Sequence, residues 1–354
     1  MRERLLEGLL WFLERPSVTG EEKPLCDDLE ARVSRLAGWE TQRVANNLVV
    51  YRAESDGSRT RLVFAGHLDT VPVPQGGLPV RVEDGRVYGR GASDMKAGDA
   101  VMLALVEDFS WEDSWAEPLF VFYEREEGPY AENGLELVFA EIPDVLDADL
   151  TLVLEPTAGA LEVGCVGTAQ VEVTFKGKSA HSARPWQGNN AITAAASFLA
   201  EMHERQVEEV VVEGLTFYEV LVPTLARGGR AKNVVPDEFW INVNYRFSPG
   251  KGIDDVRSVF EGLLRGDARF DIVDYAPSGP VELDNPLLRR LIEAELEVRP
   301  KQAWTDVARF AQRGVAAANF GPGLPAQAHQ ESEYAEIPLL ERCYERLASF
   351  LVHN

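Results

Sequence analysis

Two of the five histidines stand in short segments beside carboxylates. His67 lies in AGHLDTVP, two residues before Asp69. After a strand, residues i and i+2 share a side, so Asp69 can reach the imidazole N–H and fix its tautomer for metal binding; the alternative is a solvated turn histidine. Asp94, in the glycine-rich GRGASDMKAG, precedes an apolar stretch, where a carboxylate either bridges two cations or caps the helix. The same glycines are no dinucleotide fingerprint, because the third glycine and the ribose-binding acid are missing. Glu124, Glu126 and Glu127 in YEREEGP follow an apolar strand. Adjacent side chains there point to opposite sides, so one can hold a metal and the other a water, unless the cluster is only a solvated acidic loop. Glu155 ends the apolar run LTLVLEP, where an unpaired carboxylate would be costly, and His329 lies in PAQAHQESEY. Taken together, His67, Asp94, Glu127, Glu155 and His329 offer the nitrogen and oxygen ligands of a two-zinc site, with no cysteine.

Positioning such groups takes a packed α/β layer. The chain has 354 residues, 45% hydrophobic and 26% charged, too many for one comfortable core, so two domains are expected. Lys+Arg 35 against Asp+Glu 58 gives a net charge of -23, which argues against nucleic acid or an anionic membrane as partner. Cys26, Cys165 and Cys343 lack CxxC spacing, so neither a disulfide framework nor a thiolate zinc site is expected, and a reducing cytoplasm fits best. No stretch approaches 18 apolar residues. The N-terminus reads as an amphipathic helix with Leu6, Leu9, Leu10 and Leu13 on one face, closed by Pro16, and Thr19 with Glu22 makes a capping-box start for a second helix towards Leu36. Strands are expected at 47–51, 61–65, 119–123 and 150–154, and a buried helix at 97–106. Helices alternating with such strands indicate an α/β layer. From Val166 the pattern becomes β-α-β-β-α-β, with helices near 190–206 and 253–264 and a last strand at 270–275, which is the split βαβ sandwich. The segment after Leu283 should return to the first domain.

In order and spacing, GHLDTVP, YGRGASDMKAG, EREEG, LEP, KSAHSARP, NVVP and AHQESEY resemble the aminoacylase and carboxypeptidase family of co-catalytic zinc metallopeptidases over the whole chain. HSARPWQGNNAI, RAKNVVPD, VNYRFSP and WTDVARF look most like the actinobacterial-type succinyl-diaminopimelate desuccinylases within that family. The resemblance implies a catalytic di-zinc domain over 1–165 and 281–354, with a ferredoxin-like lid and dimerisation domain over 166–280. It implies two zinc ions per chain, with cobalt as a substitute: His67 and Glu155 on one, Glu127 and His329 on the other, Asp94 bridging. Asp69 would orient His67, and Glu126 would be the general base. His181 would reach across a homodimer interface into the partner's site and donate to the developing oxyanion. Asn233 and Arg246 would hold substrate carboxylates and Thr305 would line the pocket, whereas His203 and His353 match no motif and read as surface residues.

The reaction so implied is hydrolysis of an N-acyl amide on an amino acid, foremost N-succinyl-LL-2,6-diaminopimelate to succinate and LL-2,6-diaminopimelate, in lysine and cell-wall precursor synthesis. Relatives with the same metal ligands remove acetyl groups from ornithine, citrulline or lysine, or cleave dipeptides, because metal ligands do not encode the acyl group. A metal-free binding protein that kept only the fold is the alternative from a different class. Retention of all five ligands together with Glu126 argues against it.

Overall fold

The computed structural model describes residues 1–54, 59–75, 77–294 and 296–352. The chain divides into two units, Met1–Gly164 with Glu282–Arg299 and Thr305–Asn354, and Cys165–Val281 with Pro300–Trp304. His353, read from sequence as a surface residue, lies outside the described residues.

The first unit is built on an eight-stranded mixed sheet in the order Trp39–Val44, Asn47–Arg52, Ala116–Tyr123, Thr60–His67, Leu150–Val153, Ala317–Asn319, Leu161–Cys165, Val298–Lys301. Thr60–His67 runs parallel to both Ala116–Tyr123 and Leu150–Val153, and Ala317–Asn319 runs parallel to Leu150–Val153. These central strands are apolar and buried on both faces, as parallel strands covered by helices must be. Register then decides where chemistry collects. His67 pairs with Tyr123 and Ala65 with Val153, so the segments following three neighbouring strands leave the sheet at one end. Ligand sites of open α/β sheets form at that carboxyl end.

The helix Lys96–Asp108 is buried from Lys96 to Val106 and packs on Arg2–Leu13, Ile337–Val352 and the strand Thr60–His67. Gly98 makes this approach feasible: a Cβ there would lie 2.3 Å from the Leu154 carbonyl oxygen. The N-terminal helix buries Leu5, Leu9, Phe12 and Leu13, while Leu6 and Leu10 are only half-buried. The stripe is thus rotated from the expected one, with Gly8 buried on the face that packs against the helix Lys96–Asp108. The second helix spans Lys23–Val33, ends before Leu36 and has no side-chain cap. Thr19 and Glu22 do not form the expected box. Thr19 Oγ1 donates to Asp69 Oδ2 at 2.9 Å, and Glu22 Oε1 accepts from the neighbouring Gly20 amide at 2.8 Å and the distant Arg125 amide at 3.3 Å, so neither side chain is left for the box.

The second unit is a five-stranded antiparallel sheet in the order Glu208–Val212, Leu215–Gly228, Glu238–Phe247, Gly167–Lys176, Arg269–Ala276. Val171, Val173, Ile241 and Val243 from the sheet pack with Phe198 and Val256 and Phe260 from the helices Ala196–Glu204 and Ile253–Leu263. Leaving aside the edge strand, the order is second, third, first, fourth, that of the split βαβ sandwich. The edge strand Glu208–Val212 was not expected. It forms because Glu213 and Gly214 both adopt positive φ, 49° and 81°, the requirement of a tight two-residue hairpin turn. The helix expected over 190–206 is two pieces, Ala191–Ala194 and Ala196–Glu204, the first capped by Asn190, whose Oδ1 accepts from the amides of Ile192 and Thr193. Among the described residues no helix is long and apolar enough to cross a membrane, and the three cysteines are buried.

Candidate metal centre

His67 is the last residue of its strand and is wholly buried. Its Nδ1 lies 3.0 Å from the Asp69 backbone oxygen and 3.5 Å from Asp69 Oδ1, while Nε2 lies 3.2 Å from Asp94 Oδ1 and 3.9 Å from Glu155 Oε1. Asp69, also at 0% exposure, holds the next strand's loop as well: its Oδ1 and Oδ2 accept from the amides of Glu126 and Glu127 at 3.0 and 3.1 Å. One carboxylate therefore orients the imidazole and the backbone that carries both glutamates. Asp94 does not cap the helix that follows, which begins at Lys96 with Met95 as its N-cap and no side-chain cap bond. Its carboxylate instead lies between the two histidines, Oδ2 being 3.6 Å from His329 Nε2. His329, at a φ of 62°, reaches back from the loop after the strand Ala317–Asn319 to place Nε2 2.8 Å from Glu127 Oε1.

Among the described residues three sets of ligand atoms each lie within 4.8 Å of one another: His67, Asp94 and Glu155; Asp94, Glu127 and His329; and His67, Glu126 and Glu127. The first two share Asp94. The third takes one residue from each and adds Glu126, which so stands at the seam of the pair. Electrostatics point the same way. Burial opposes the His67 imidazolium, but hydrogen bonds to Asp69 and Asp94 outweigh it and raise the pKa well above the ordinary value. His329 is raised by its bond to Glu127. Desolvation, reinforced by Glu155, Asp306 and Glu127, pushes the Glu126 carboxyl well above the usual range, although His67 pulls it down. For Asp69 burial alone would raise the pKa, and the bonds from His67 and Thr19 hold it below. The pocket thus gathers positive charge onto a set of imidazoles and carboxylates, which fits divalent cations of borderline hardness.

The remaining residues singled out from sequence are not members of these ligand sets. Thr305 is buried just before the helix Val307–Gln312. In the second unit, His181 and Asn233 are exposed on adjoining segments, joined by a bridge from His181 to Val234 and a 3.0 Å bond from the Ser182 amide to the Asn233 oxygen. Arg246, in the strand Glu238–Phe247, donates from Nε to Asn244 Oδ1 at 3.0 Å, and desolvation lowers its pKa. His203 is exposed.

Residues that sequence reading passed over complete the first unit's site. Asp306 is fully buried and accepts from Tyr123 Oη at 2.8 Å, Asn133 Nδ2 at 3.0 Å and Arg309 Nε at 2.7 Å, tying together the two ends of the Glu124–Glu132 segment. Its signal was available: an acid and an arginine three apart inside the apolar WTDVARF. Glu333, at 1% exposure, had none, since ESEY presents it as one more acid in a polar loop.

A profile described as peptidase family M20/M25/M40 matches residues 63–353. A Mycobacterium tuberculosis protein named, provisionally, as a succinyl-diaminopimelate desuccinylase is 38% identical over 350 residues, 96% of each chain. A Corynebacterium glutamicum succinyl-diaminopimelate desuccinylase is 37% identical over 92% of this chain and 90% of its own. An acetylornithine deacetylase of Myxococcus xanthus is 30% identical, with 96% and 93% covered. Among solved structures, a Staphylococcus aureus tripeptidase shares the fold with a TM-score of 0.82 at 21% identity, covering 99% of this chain and 98% of that one. A Bacillus subtilis protein titled a dinuclear metal-binding peptidase does so with a TM-score of 0.71 at 15% identity, with 99% and 97% covered.

Proposed function

Since the chain belongs to peptidase family M20/M25/M40, we propose that it is a two-zinc amidohydrolase that converts N-succinyl-LL-2,6-diaminopimelate to succinate and LL-2,6-diaminopimelate. The observation that carries the chemistry is the pair of ligand sets joined at Asp94, with Glu126 beside His67 and Glu127 at their seam. His67 and Glu155 would hold one metal, Glu127 and His329 the other, and Asp94 would serve both. When bound, such ions polarise an amide carbonyl and acidify a water. Glu126 takes the proton from the attacking water and delivers it to the leaving amine, for which its place at the seam of the two ligand sets is suited. Asp69 keeps the His67 ring and the Glu126 and Glu127 backbone in place while this proton moves. The developing oxyanion takes a hydrogen bond from His181 of the partner subunit in a cytoplasmic homodimer joined through the inserted domain. Asn233 and Arg246 grip the substrate carboxylates, Arg246 through its planar fork, and Thr305 supports the pocket.

The succinyl substrate is favoured over an acetyl one because the relatives at 37% and 38% identity carry that name, whereas the acetylornithine deacetylase stands at 30%. A parallel hydrolysis assay of N-succinyl-diaminopimelate, N-acetylornithine, N-acetylcitrulline and a dipeptide decides between them. The expected result is a kcat/KM for the succinyl substrate well above the others. A higher value for an acetyl substrate would replace this reading with the deacetylase one.

A further inference from the structure

The loop that ends in Asp94 is wrapped around a carboxylate from a distant part of the chain. Glu333 Oε1 accepts from the backbone amides of Ser93 at 2.9 Å and Asp94 at 3.0 Å; Oε2 accepts from the Gly91 amide at 2.9 Å and from Arg90 Nη1 at 2.7 Å. The strand Tyr334–Glu336 delivers it there by pairing antiparallel with Arg86–Tyr88, and a bond from the Gly89 amide to the Glu333 backbone oxygen continues that register. Gly91, at a φ of 80°, allows the chain to turn its amides onto one point. Ser93 closes the far side by exchanging hydrogen bonds with the Leu324 backbone.

Two consequences follow from this placement. With its own amide committed to Glu333, the Asp94 backbone is held where the side chain meets His67 and His329. Glu333 is also only four residues beyond His329, on the same stretch of chain, so it ties the shared carboxylate to the loop bearing the second histidine. We propose that Glu333 is a positioning residue that sets both metal half-sites at once, an inference that rests on the two-metal reading above. A glutamine cannot replace it: the amide turns one oxygen acceptor into an NH₂ group facing N–H donors.

Amide hydrogen exchange on the metal-free wild-type chain and metal titration of Glu333→Gln test this. In the wild type the amides of Gly91, Ser93 and Asp94 should exchange slowly, and the variant should release them. Divalent metal affinity should fall by about 10- to 100-fold, the range for losing a group that orients ligands, and at both sites. Arg90→Met, which leaves the three backbone donors in place, should lose less. Unprotected wild-type amides, unchanged affinity in Glu333→Gln, a loss confined to one site, or an equal loss in Arg90→Met would each overturn the proposal. Should Glu333→Gln fail to fold, the wild-type exchange pattern and Arg90→Met still decide. A wild-type chain that takes up no divalent metal would instead sink the two-metal reading, while the exchange pattern would still report on the brace.

Discussion

In the first unit the candidate groups are buried and held from several directions: His67 and Asp69 have no exposed surface, and Asp69 alone accepts from Thr19, Glu126 and Glu127. In the second unit His181 sits in a run exposed from His181 to Gln187, with Trp186 at 76% exposure, and its ring contact is with a neighbouring amide, that of Ala183. The difference teaches where rigidity is needed. Ligands and a base must be pre-set to within fractions of an ångström, so their partners are built into the core. The role proposed for His181, a donor used only when another surface arrives, requires it to stay open until then. The second unit keeps its own buried polar centre elsewhere: Glu219 accepts from Lys251 Nζ at 2.6 Å, from the Ser248 amide at 2.9 Å and from Tyr245 Oη at 2.9 Å.

The largest effect is expected at Glu126. Glu126→Gln should leave metal content unchanged and cut turnover by at least about a hundredfold, the usual floor for a general acid–base group; metal analysis beside kinetics checks it, and near-wild-type turnover removes Glu126 as the base. Next is His181→Ala, expected to lose about 100- to 1,000-fold in kcat, as for a missing oxyanion donor, with metal content and thermal stability intact. Mixing inactive Glu126→Gln chains with inactive His181→Ala chains should restore part of the activity in heterodimers. Subunit exchange without recovery would leave His181 no role across the interface.

Asp69→Asn comes third, with metal affinity lower by about 10- to 100-fold in titration, since it removes the charge that orients His67 and the glutamate loop. Affinity equal to wild type would mean that the burial of Asp69 serves folding alone.

A smaller effect, on stability, is expected from Glu219→Gln. Burial raises the Glu219 carboxyl, but Lys251, Ser248 and Tyr245 prevail and hold it below the ordinary value. Its contribution is therefore complete above the unfolded pKa of about 4.3 and is lost as the pH falls through the lower folded value. Denaturant titrations should show the variant weaker by about 1–3 kcal/mol at pH 7, as for a disrupted buried hydrogen-bonded charge, with the gap closing below about pH 4. A gap that persists in acid would assign the loss to packing. Smallest of all, Trp186→Ala should change stability by no more than about 0.5 kcal/mol, because that ring buries little.

The runs 61–65, 119–123 and 150–154 were legible because buried parallel strands are continuous apolar stretches, and the buried helix over 97–106 was legible for the same reason. Less visible were features whose cause is long-range. The apparent capping box at Thr19 and Glu22 dissolved because distant Asp69 takes the Thr19 hydroxyl and distant Arg125 shares Glu22 with the nearby Gly20 amide. The hairpin edge Glu208–Val212 is a different case: its three consecutive valines and the tight turn at Glu213 and Gly214 are local signals that the sequence reading passed over.

By itself, then, the sequence determined the residue types available for chemistry, the ordered motifs that mark the family, and the alternation of apolar runs that builds an α/β layer beside a split βαβ unit. Those properties are local, written in side-chain identity and period. Only the tertiary structure decided that Asp94 lies between two histidines instead of capping a helix, that Asp306 closes the Glu124–Glu132 segment, and that Glu333 holds the loop before Asp94. Each depends on strand register and on chain segments up to 243 residues apart meeting at one hydrogen-bonded point, and a buried carboxylate takes whichever donors the fold brings to it.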